Sequence, residues 1–257
     1  MNVQAPTAAW DGRFKPRLAE RWPEFVNCPK RLESEGPFLL NLLRQKSSRI
    51  FDAAVGTGCE TVFLAKHGFD VTGNEIDTDL MRHAKDLAEQ EAAHVHFTNY
   101  DWLDLEQRFE SASFDVTFVM GNSLCLLRDE ESRREAARNF RAICKAGGAV
   151  VVDERNFDYI LREREKILKG NFRYTGRVMY CGKSIRGRPD IIEDEHVRFV
   201  YEDVKSGHAL GYLDMHPFQR GELPKLFMKA GFPGVEVFSD FEPGYRESAD
   251  FFTYVFR

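Results

Sequence analysis

The chain has 257 residues, 43% of them hydrophobic and 30% charged, a balance typical of soluble globular proteins and not of disordered or collagen-like chains. Its net charge of −5 and its lack of long Lys/Arg runs argue against a nucleic-acid partner. No apolar run approaches the roughly 18 residues that span a bilayer, and no secretory signal is visible. We therefore expect a cytoplasmic protein without a membrane partner.

The cysteines are odd in number and widely scattered, and no two of them form a C-x-x-C pair. This spacing favours neither a disulfide framework nor a zinc site. We therefore expect reduced, partly buried thiols and no bound metal. The five residues are Cys28, Cys59, Cys125, Cys144 and Cys181.

Residues 1–30 show little apolar periodicity and predict a flexible amino-terminal arm. A helix interrupted at Gly36-Pro37 follows, and apolar runs then alternate with helical patterns, the last of which is expected to end at Gly147-Gly148. The runs are RIFDAAV, FDVTGNEID, HVHFTNYD, FDVTFVM and AVVVDE. This alternation predicts an α/β, Rossmann-like, doubly wound core over residues 31–160, built on a mostly parallel sheet.

The pattern changes in residues 161–217, where apolar and polar residues alternate between Gly/Lys/Ser clusters. We expect an antiparallel β lid here, inserted after strand five, that contributes to the substrate site. Residues 218–257 return to a helix followed by two strands, which complete the core sheet at seven strands.

The first βα loop reads DAAVGTG over residues 52–58, and its chemistry narrows the choice of ligand. Cys59 and Glu60 follow the last glycine where a P-loop needs Lys-Ser/Thr. Thr61 stands where a dinucleotide fold wants its third glycine, and Asp52 would repel a pyrophosphate. Neither ATP nor NAD fits this loop.

An acid beside these glycines suits a nucleoside that carries a sulfonium and an ammonium, which is S-adenosylmethionine. Gly56 and Gly58 allow the backbone to approach the ligand closely. Glu75 ends the second strand, where a carboxylate can accept both ribose hydroxyls. Asp101 ends the third strand within reach of the adenine amine, and Trp102 beside it is a candidate apolar cover. All of these residues stand at the carboxyl ends of parallel strands, so the cofactor prediction depends on the whole set and not on any single residue.

These motifs resemble the class I S-adenosylmethionine-dependent methyltransferases, and most closely the glycine N-methyltransferase and glycine/sarcosine methyltransferase group. The resemblance covers residues 30 to 160 well and rests on DAAVGTG, VTGNEID, YDWL, GNSLCLL and DERNFDYIL. It implies a Rossmann-like fold and S-adenosylmethionine as cofactor, with S-adenosylhomocysteine as product.

The resemblance also implies roles for individual residues. Ala54 and Ile76 match cofactor-binding positions, Met120, Gly121 and Asn122 match a loop that touches cofactor and substrate, and Arg155 matches the arginine that holds a substrate carboxylate. Arg31 matches an arginine that reaches the carboxylate of the cofactor.

The chain also departs from this group on the substrate side. It has no tyrosine before Tyr100, and Leu126 replaces a histidine of the GNS segment. His216 stands where the lid carries a tyrosine, and Tyr245 is a candidate to fill a comparable place. We include Arg155, Asn122 and His216 as candidate catalytic residues and these three with Tyr245 as substrate-binding residues.

Each candidate also has an ordinary structural interpretation. Arg155 can form an ion pair with Asp153, Glu154 or Asp158, Asn122 can cap a turn, and His216 can be a packed lid residue. The departures leave glycine less well supported than the cofactor.

We therefore expect an N-methyltransferase that acts on a small molecule, with glycine/sarcosine-type amino acids as first candidates. The alternatives are N- or O-methylation of another small compound, such as a nitrogen heterocycle in specialised metabolism, and a non-catalytic S-adenosylmethionine-binding module. The sequence does not determine the methyl acceptor, the number of methyl groups transferred or the oligomeric state, and a homo-oligomer is left open.

Overall fold

The structure, a computed structural model, describes residues 16–43, 48–172 and 182–257. The helices are α1 (Pro16–Phe25), α2 (Cys28–Leu42), α3 (Cys59–Lys66), α4 (Thr78–Gln90), α5 (Leu105–Arg108), α6 (Glu130–Ile143), α7 (Phe157–Arg162), α8 (Arg164–Leu168) and α9 (Glu222–Lys229). The strands are β1 (Arg49–Asp52), β2 (Asp70–Asn74), β3 (His96–Thr98), β4 (Phe114–Val119), β5 (Cys144–Arg155), β6 (Ile185–Glu193), β7 (His196–Asp203), β8 (Ala209–Met215), β9 (Val235–Ser239), β10 (Glu242–Pro243) and β11 (Phe251–Phe256).

The large sheet has the strand order β10-β9-β11-β5-β4-β1-β2-β3. Strands β1 to β5 pair in parallel, whereas β11 pairs antiparallel with both β5 and β9. The doubly wound α/β fold predicted from the sequence is confirmed. The sheet has eight strands where the sequence predicted seven, because the two-residue strand β10 folds back onto β9.

Apolar side chains cover both faces of this sheet, which explains why its central strands read as continuous apolar runs. One core cluster contains Phe140 and Phe157, and the other contains Leu39 and Phe118. All six residues of β11 are buried. Among the described residues, no helix is both long enough and apolar enough to cross a membrane.

The smaller sheet is antiparallel, in the order β6-β7-β8, and lies in the chain between β5 and α9. The predicted antiparallel insertion after strand five is therefore present. Residue 161 lies in α7, α8 follows it, and the first lid strand among the described residues begins at Ile185. The stretch 173–181, which falls within the predicted lid, lies outside the described residues.

The amino-terminal region differs from the predicted flexible arm over residues 1–30. Pro16–Phe25 forms α1, and its Leu18 and Ala19 are fully buried. Residues 1–15 lie outside the described part of the chain. Helix α2 also continues through Pro37 without the predicted interruption. A Cβ at Gly36 would come within 2.9 Å of the Phe63 ring, so this glycine lets α2 pack closely on α3.

The predicted end of the helix at Gly147-Gly148 is also corrected. Helix α6 ends at Ile143, and Gly147-Gly148 already belong to β5. A Cβ at Gly148 would lie 2.7 Å from the backbone oxygen of Asp115, so this glycine permits close strand contact and does not end a helix.

The cysteines are not all reduced thiols, as the sequence had suggested. Cys28 and Cys59, the first residues of α2 and α3, form a disulfide with their Cα atoms 5.6 Å apart. Cys125 and Cys144 are free and buried, and Cys181 lies outside the described residues. The pairing joins the amino-terminal helices to the first glycine loop.

Candidate active site

A cavity of about 670 Å³ opens at the carboxyl edge of the parallel strands. The loops after β1, β2, β3 and β4 and the end of β5 line it from below. Helices α1 to α3 and the lid strands β7 and β8 contribute the remaining walls. The strand order puts the residues after β3 at one end of the cavity and those of β5 at the other.

Two glycines and the Glu75 carboxylate determine the conformation of the loop after β1. Gly56 and Gly58 both have positive φ, of 57° and 89°, which favours glycine. The Glu75 carboxylate accepts hydrogen bonds from the backbone N–H groups of Gly56 at 2.8 Å and Asp77 at 2.9 Å. Burial raises the pKa of Glu75 to about 7 despite these bonds. One carboxylate therefore fixes the loop and faces the cavity.

A buried acidic group lies under the same loop. Asp52 accepts hydrogen bonds from the Thr61 hydroxyl at 2.5 Å and the Ala54 N–H at 3.3 Å. Burial raises its pKa to about 6. Arg31, expected to reach the cofactor carboxylate, lines the cavity, but its Nε lies 2.8 Å from Glu35 and 2.5 Å from Glu60. The acidic side chains Asp52, Glu35 and Glu60 therefore lie near a single arginine, and this excess of acids suits a cationic ligand.

The loop after β3 supplies an acid and an indole. The Asp101 carboxylate accepts from the Leu103 N–H at 3.0 Å and so caps the short 3-10 turn Trp102–Asp104. The Trp102 indole donates to the Ala53 carbonyl at 2.8 Å and packs on Phe140. Both residues line the cavity, as does the half-exposed Ile76.

Asn122 connects the loop after β4 to β5 and to the lid. Its N–H donates to Asp153 Oδ1 at 2.6 Å, its Oδ1 accepts from the Arg155 N–H at 2.9 Å, and its Nδ2 lies 3.4 Å from the Met215 sulfur. Gly121 and Asn122 both have positive φ, of 78° and 59°. The buried Asn122 therefore positions the end of β5, and Met120, Gly121 and Asn122 all line the cavity.

Arg155 ends β5 at the opposite side of the cavity from Asp101. Its guanidinium carbon lies 4.5 Å from the centre of the Phe199 ring and 4.9 Å from that of Phe251. Two aromatic faces at these distances favour a fixed orientation of the planar guanidinium. Arg155 is among the residues that line the cavity.

Three predicted residues are not part of the cavity lining. Gly58 lies beneath the loop, where a Cβ would come within 3.0 Å of Ala84. His216 Nε2 lies 2.7 Å from Glu222 Oε1, which ties the end of β8 to α9. Tyr245 stacks on Phe252 with ring centres 4.9 Å apart, beside a separate shallow depression. The structure brings together the other predicted residues.

The sequence did not identify several residues that line the cavity. They come from α1, from the residue that follows it and from the lid: Trp22, Phe25, Val26, Tyr201, Leu213 and Met215. The alternation in residues 161–217 predicted lid strands, but not which residues of the lid would line the cavity. No signal in the sequence indicated that α1 would pack against the lid.

The residues present fit S-adenosylmethionine. The Glu75 carboxylate faces the cavity and suits two ribose hydroxyls, the glycine loop leaves space beside Gly56, and the buried acids suit a sulfonium. Within the described ranges, no group of three or more His, Cys, Asp or Glu side chains is placed to hold a metal ion.

The chain is similar in sequence to known methyltransferases. A family model described as a methyltransferase domain matches residues 50–148. The glycine/sarcosine N-methyltransferase of Aphanothece halophytica is 29% identical over 93% of this chain and 87% of its own length. The glycine N-methyltransferase of Mus musculus is 32% identical over 48% of this chain and 46% of its own length.

The fold is shared with solved structures as well. An S-adenosylmethionine-dependent methyltransferase from Clostridium acetobutylicum aligns with a TM-score of 0.68, over 90% of this chain and 92% of that one, at 14% identity. Residues 50–148 therefore match a methyltransferase domain, and the chain resembles the glycine N-methyltransferase and glycine/sarcosine N-methyltransferase group of S-adenosylmethionine-dependent methyltransferases.

Proposed function

We propose that this enzyme methylates the nitrogen of a small amine that also carries a carboxylate, with glycine/sarcosine-type amino acids as the first candidates. The observation that carries the proposal is that Glu75 and Arg155 line opposite ends of one cavity. Their strands β2 and β5 are separated by three strand spacings, roughly 14 Å of sheet. This width leaves room for an elongated cofactor and a small acceptor side by side.

Arg155 is the residue we assign to the acceptor carboxylate. A guanidinium presents a planar fork of donors that matches the two oxygens of a carboxylate, and the rings of Phe199 and Phe251 on either side favour one orientation of that fork. The backbone N–H of Arg155 donates a hydrogen bond to the Asn122 side chain, which fixes the end of the strand that carries the guanidinium. The site therefore offers a preorganised anchor for an anionic group.

The chemistry asks little more of the protein than orientation and exclusion of water. The cofactor supplies a methyl group that its sulfonium charge already activates. The acceptor ammonium must lose its proton to solvent before its lone pair can attack. His216, the candidate base, is bonded to Glu222 away from the cavity lining, so we assign it a structural role.

The relatives support an amino-acid acceptor, since those aligned over most of the chain are named glycine/sarcosine N-methyltransferases. Two features set this chain apart from the pattern of that group. Leu126 lines the cavity where the group has a histidine, and the chain has no tyrosine before Tyr100. A neutral heterocycle as acceptor and a non-catalytic binding module are therefore treated as outcomes of the test.

The test replaces Arg155 with lysine, which keeps the charge but loses the fork. We expect kcat/KM for the amino-acid acceptor to fall about a hundredfold, ~2.7 kcal/mol, while S-adenosylhomocysteine affinity stays nearly unchanged. Arg162→Lys is the matched control, because Arg162 lies on α7, pairs with Glu247 and does not line the cavity.

A folded Arg155→Lys enzyme that methylates its acceptor at the parental rate would exclude carboxylate anchoring by this residue and favour a neutral acceptor. A protein that binds S-adenosylhomocysteine but releases none from S-adenosylmethionine, with either amino acids or a metabolite extract present, would instead identify a binding module. Melting curves of both variants separate loss of fold from loss of function.

A further inference from the structure

Three aromatic rings form a continuous wall at the acceptor end of the cavity. Trp22 and Phe25 come from α1 and Tyr201 from β7, and all three line the cavity. Their ring centres lie 4.7 Å apart for Trp22 and Phe25, 5.0 Å for Trp22 and Tyr201, and 5.1 Å for Phe25 and Tyr201. We call these three residues the aromatic wall.

The lid is shaped to hold this wall in place. Tyr201 is paired in register with Gly187 on β6 and Gly211 on β8. A Cβ at Gly187 would lie 2.8 Å from the Tyr201 ring, and a Cβ at Gly211 would lie 3.1 Å from Leu18 of α1. The two glycines therefore make room for the ring on one side and for α1 on the other.

Helix α1 is also fixed to the lid by charge. Arg21 lies 2.6 Å from Asp203 at the end of β7, and Leu18 of the same helix is fully buried in the core. The aromatic wall is therefore already assembled in this structure.

The wall lies next to the carboxylate anchor. Phe199, which stacks on Arg155, and Tyr201 are two residues apart on β7, so their side chains project from the same face about 7 Å apart. A carboxylate held at Arg155 brings the substituent on its α-carbon toward Tyr201. The cavity lining also includes the apolar residues Val26, Leu126, Leu213 and Met215.

Glycine has no side chain to place against such a surface. Tyr201 is buried, but Trp22 and Phe25 are only partly buried, so an acceptor side chain that covers these two rings removes apolar area from water. We propose that the preferred acceptor is an α-amino acid with an apolar side chain larger than that of glycine, its carboxylate on Arg155 and its side chain on the aromatic wall. This inference rests on the proposed function and narrows its substrate class.

The experiment compares glycine, alanine, leucine and phenylalanine as acceptors, with S-adenosylhomocysteine release as the readout. We expect kcat/KM for leucine or phenylalanine to exceed that for glycine by at least about tenfold. Trp22→Ala should lower this preference about tenfold, and Trp22→Phe, which keeps a ring, should retain most of it. Tyr212→Ala is the matched control, because Tyr212 is on the exposed face of the lid strand β8 and is not part of the cavity lining.

The outcomes separate the two proposals. Glycine turned over as well as leucine and phenylalanine, or a preference that a folded Trp22→Ala variant leaves unchanged, overturns this inference and leaves the proposed function standing. If no amino acid is methylated although S-adenosylhomocysteine binds, the proposed function falls and this inference with it. Loss of S-adenosylhomocysteine binding in Trp22→Ala but not in Trp22→Phe would assign the wall to the cofactor and overturn its role toward the acceptor.

Discussion

The role of Glu75 in cofactor binding leads to a quantitative prediction. Alanine is a poor probe here, because removal of the carboxylate would leave the N–H groups of Gly56 and Asp77 without their acceptor. Glutamine keeps the size of the side chain and an acceptor oxygen for one of these two N–H groups, but it removes the charge and leaves the other N–H without its acceptor, since the two groups bind different oxygens of Glu75. Hydrogen bonds to charged groups are worth about 1.5–3 kcal/mol, so Glu75→Gln should weaken S-adenosylhomocysteine binding roughly 10- to 150-fold.

Isothermal titration calorimetry with S-adenosylhomocysteine measures this change directly, and a melting curve without ligand reports whether the loop survives. Glu89→Gln provides the matched control, because Glu89 is exposed on α4 and does not line the cavity. The control should bind like the parent protein. Unchanged affinity in a folded Glu75→Gln variant would refute the reasoning, because the carboxylate would then serve only the loop.

The pH dependence of binding should follow the buried acids. Since burial raises the pKa of Glu75 to about 7 and that of Asp52 to about 6, and the cationic cofactor favours their ionised forms, its affinity should rise from pH 5 to pH 8 with proton release. Calorimetry in buffers of different ionisation enthalpy checks this, and a flat profile would contradict it. Loss of the disulfide through Cys28→Ser should cost about 3–4 kcal/mol of unfolding free energy, given its separation of 31 residues from Cys59. Urea unfolding with and without reductant measures the cost. If reductant still lowers the stability of the variant, the effect does not come from the disulfide between Cys28 and Cys59. Asn122→Ala should lower kcat/KM about 10- to 100-fold with little change in S-adenosylhomocysteine affinity, because the Arg155 N–H loses its acceptor. An equal loss of cofactor affinity would show that the whole loop had collapsed.

Much of the cofactor end follows from local patterns. Apolar runs that alternate with helices are sufficient to predict a parallel sheet, and parallel strands bring their carboxyl ends to one edge. Residues recognised along the chain, such as Gly56, Glu75, Asp101 and Arg155, therefore line one cavity. No knowledge of distant contacts was needed, since each lies at the carboxyl end of its own strand or within a few residues of it.

The acceptor end was decided by tertiary packing. The predicted flexible arm contains α1, because Leu18 packs at Gly211 and the rings of α1 meet Tyr201 of the lid. Likewise, the partner of Cys28 depends on how closely α2 lies on α3.

His216 shows the same limit of sequence patterns. The sequence suggested a substrate-facing residue of the lid, whereas in the folded chain His216 bonds to Glu222 at the start of α9. Hydrophobic periodicity determines which face of an element is buried. It does not determine which other element covers that face. At the acceptor end, the elements that provide this cover, α1 and the lid strands, also supply the residues that line the cavity.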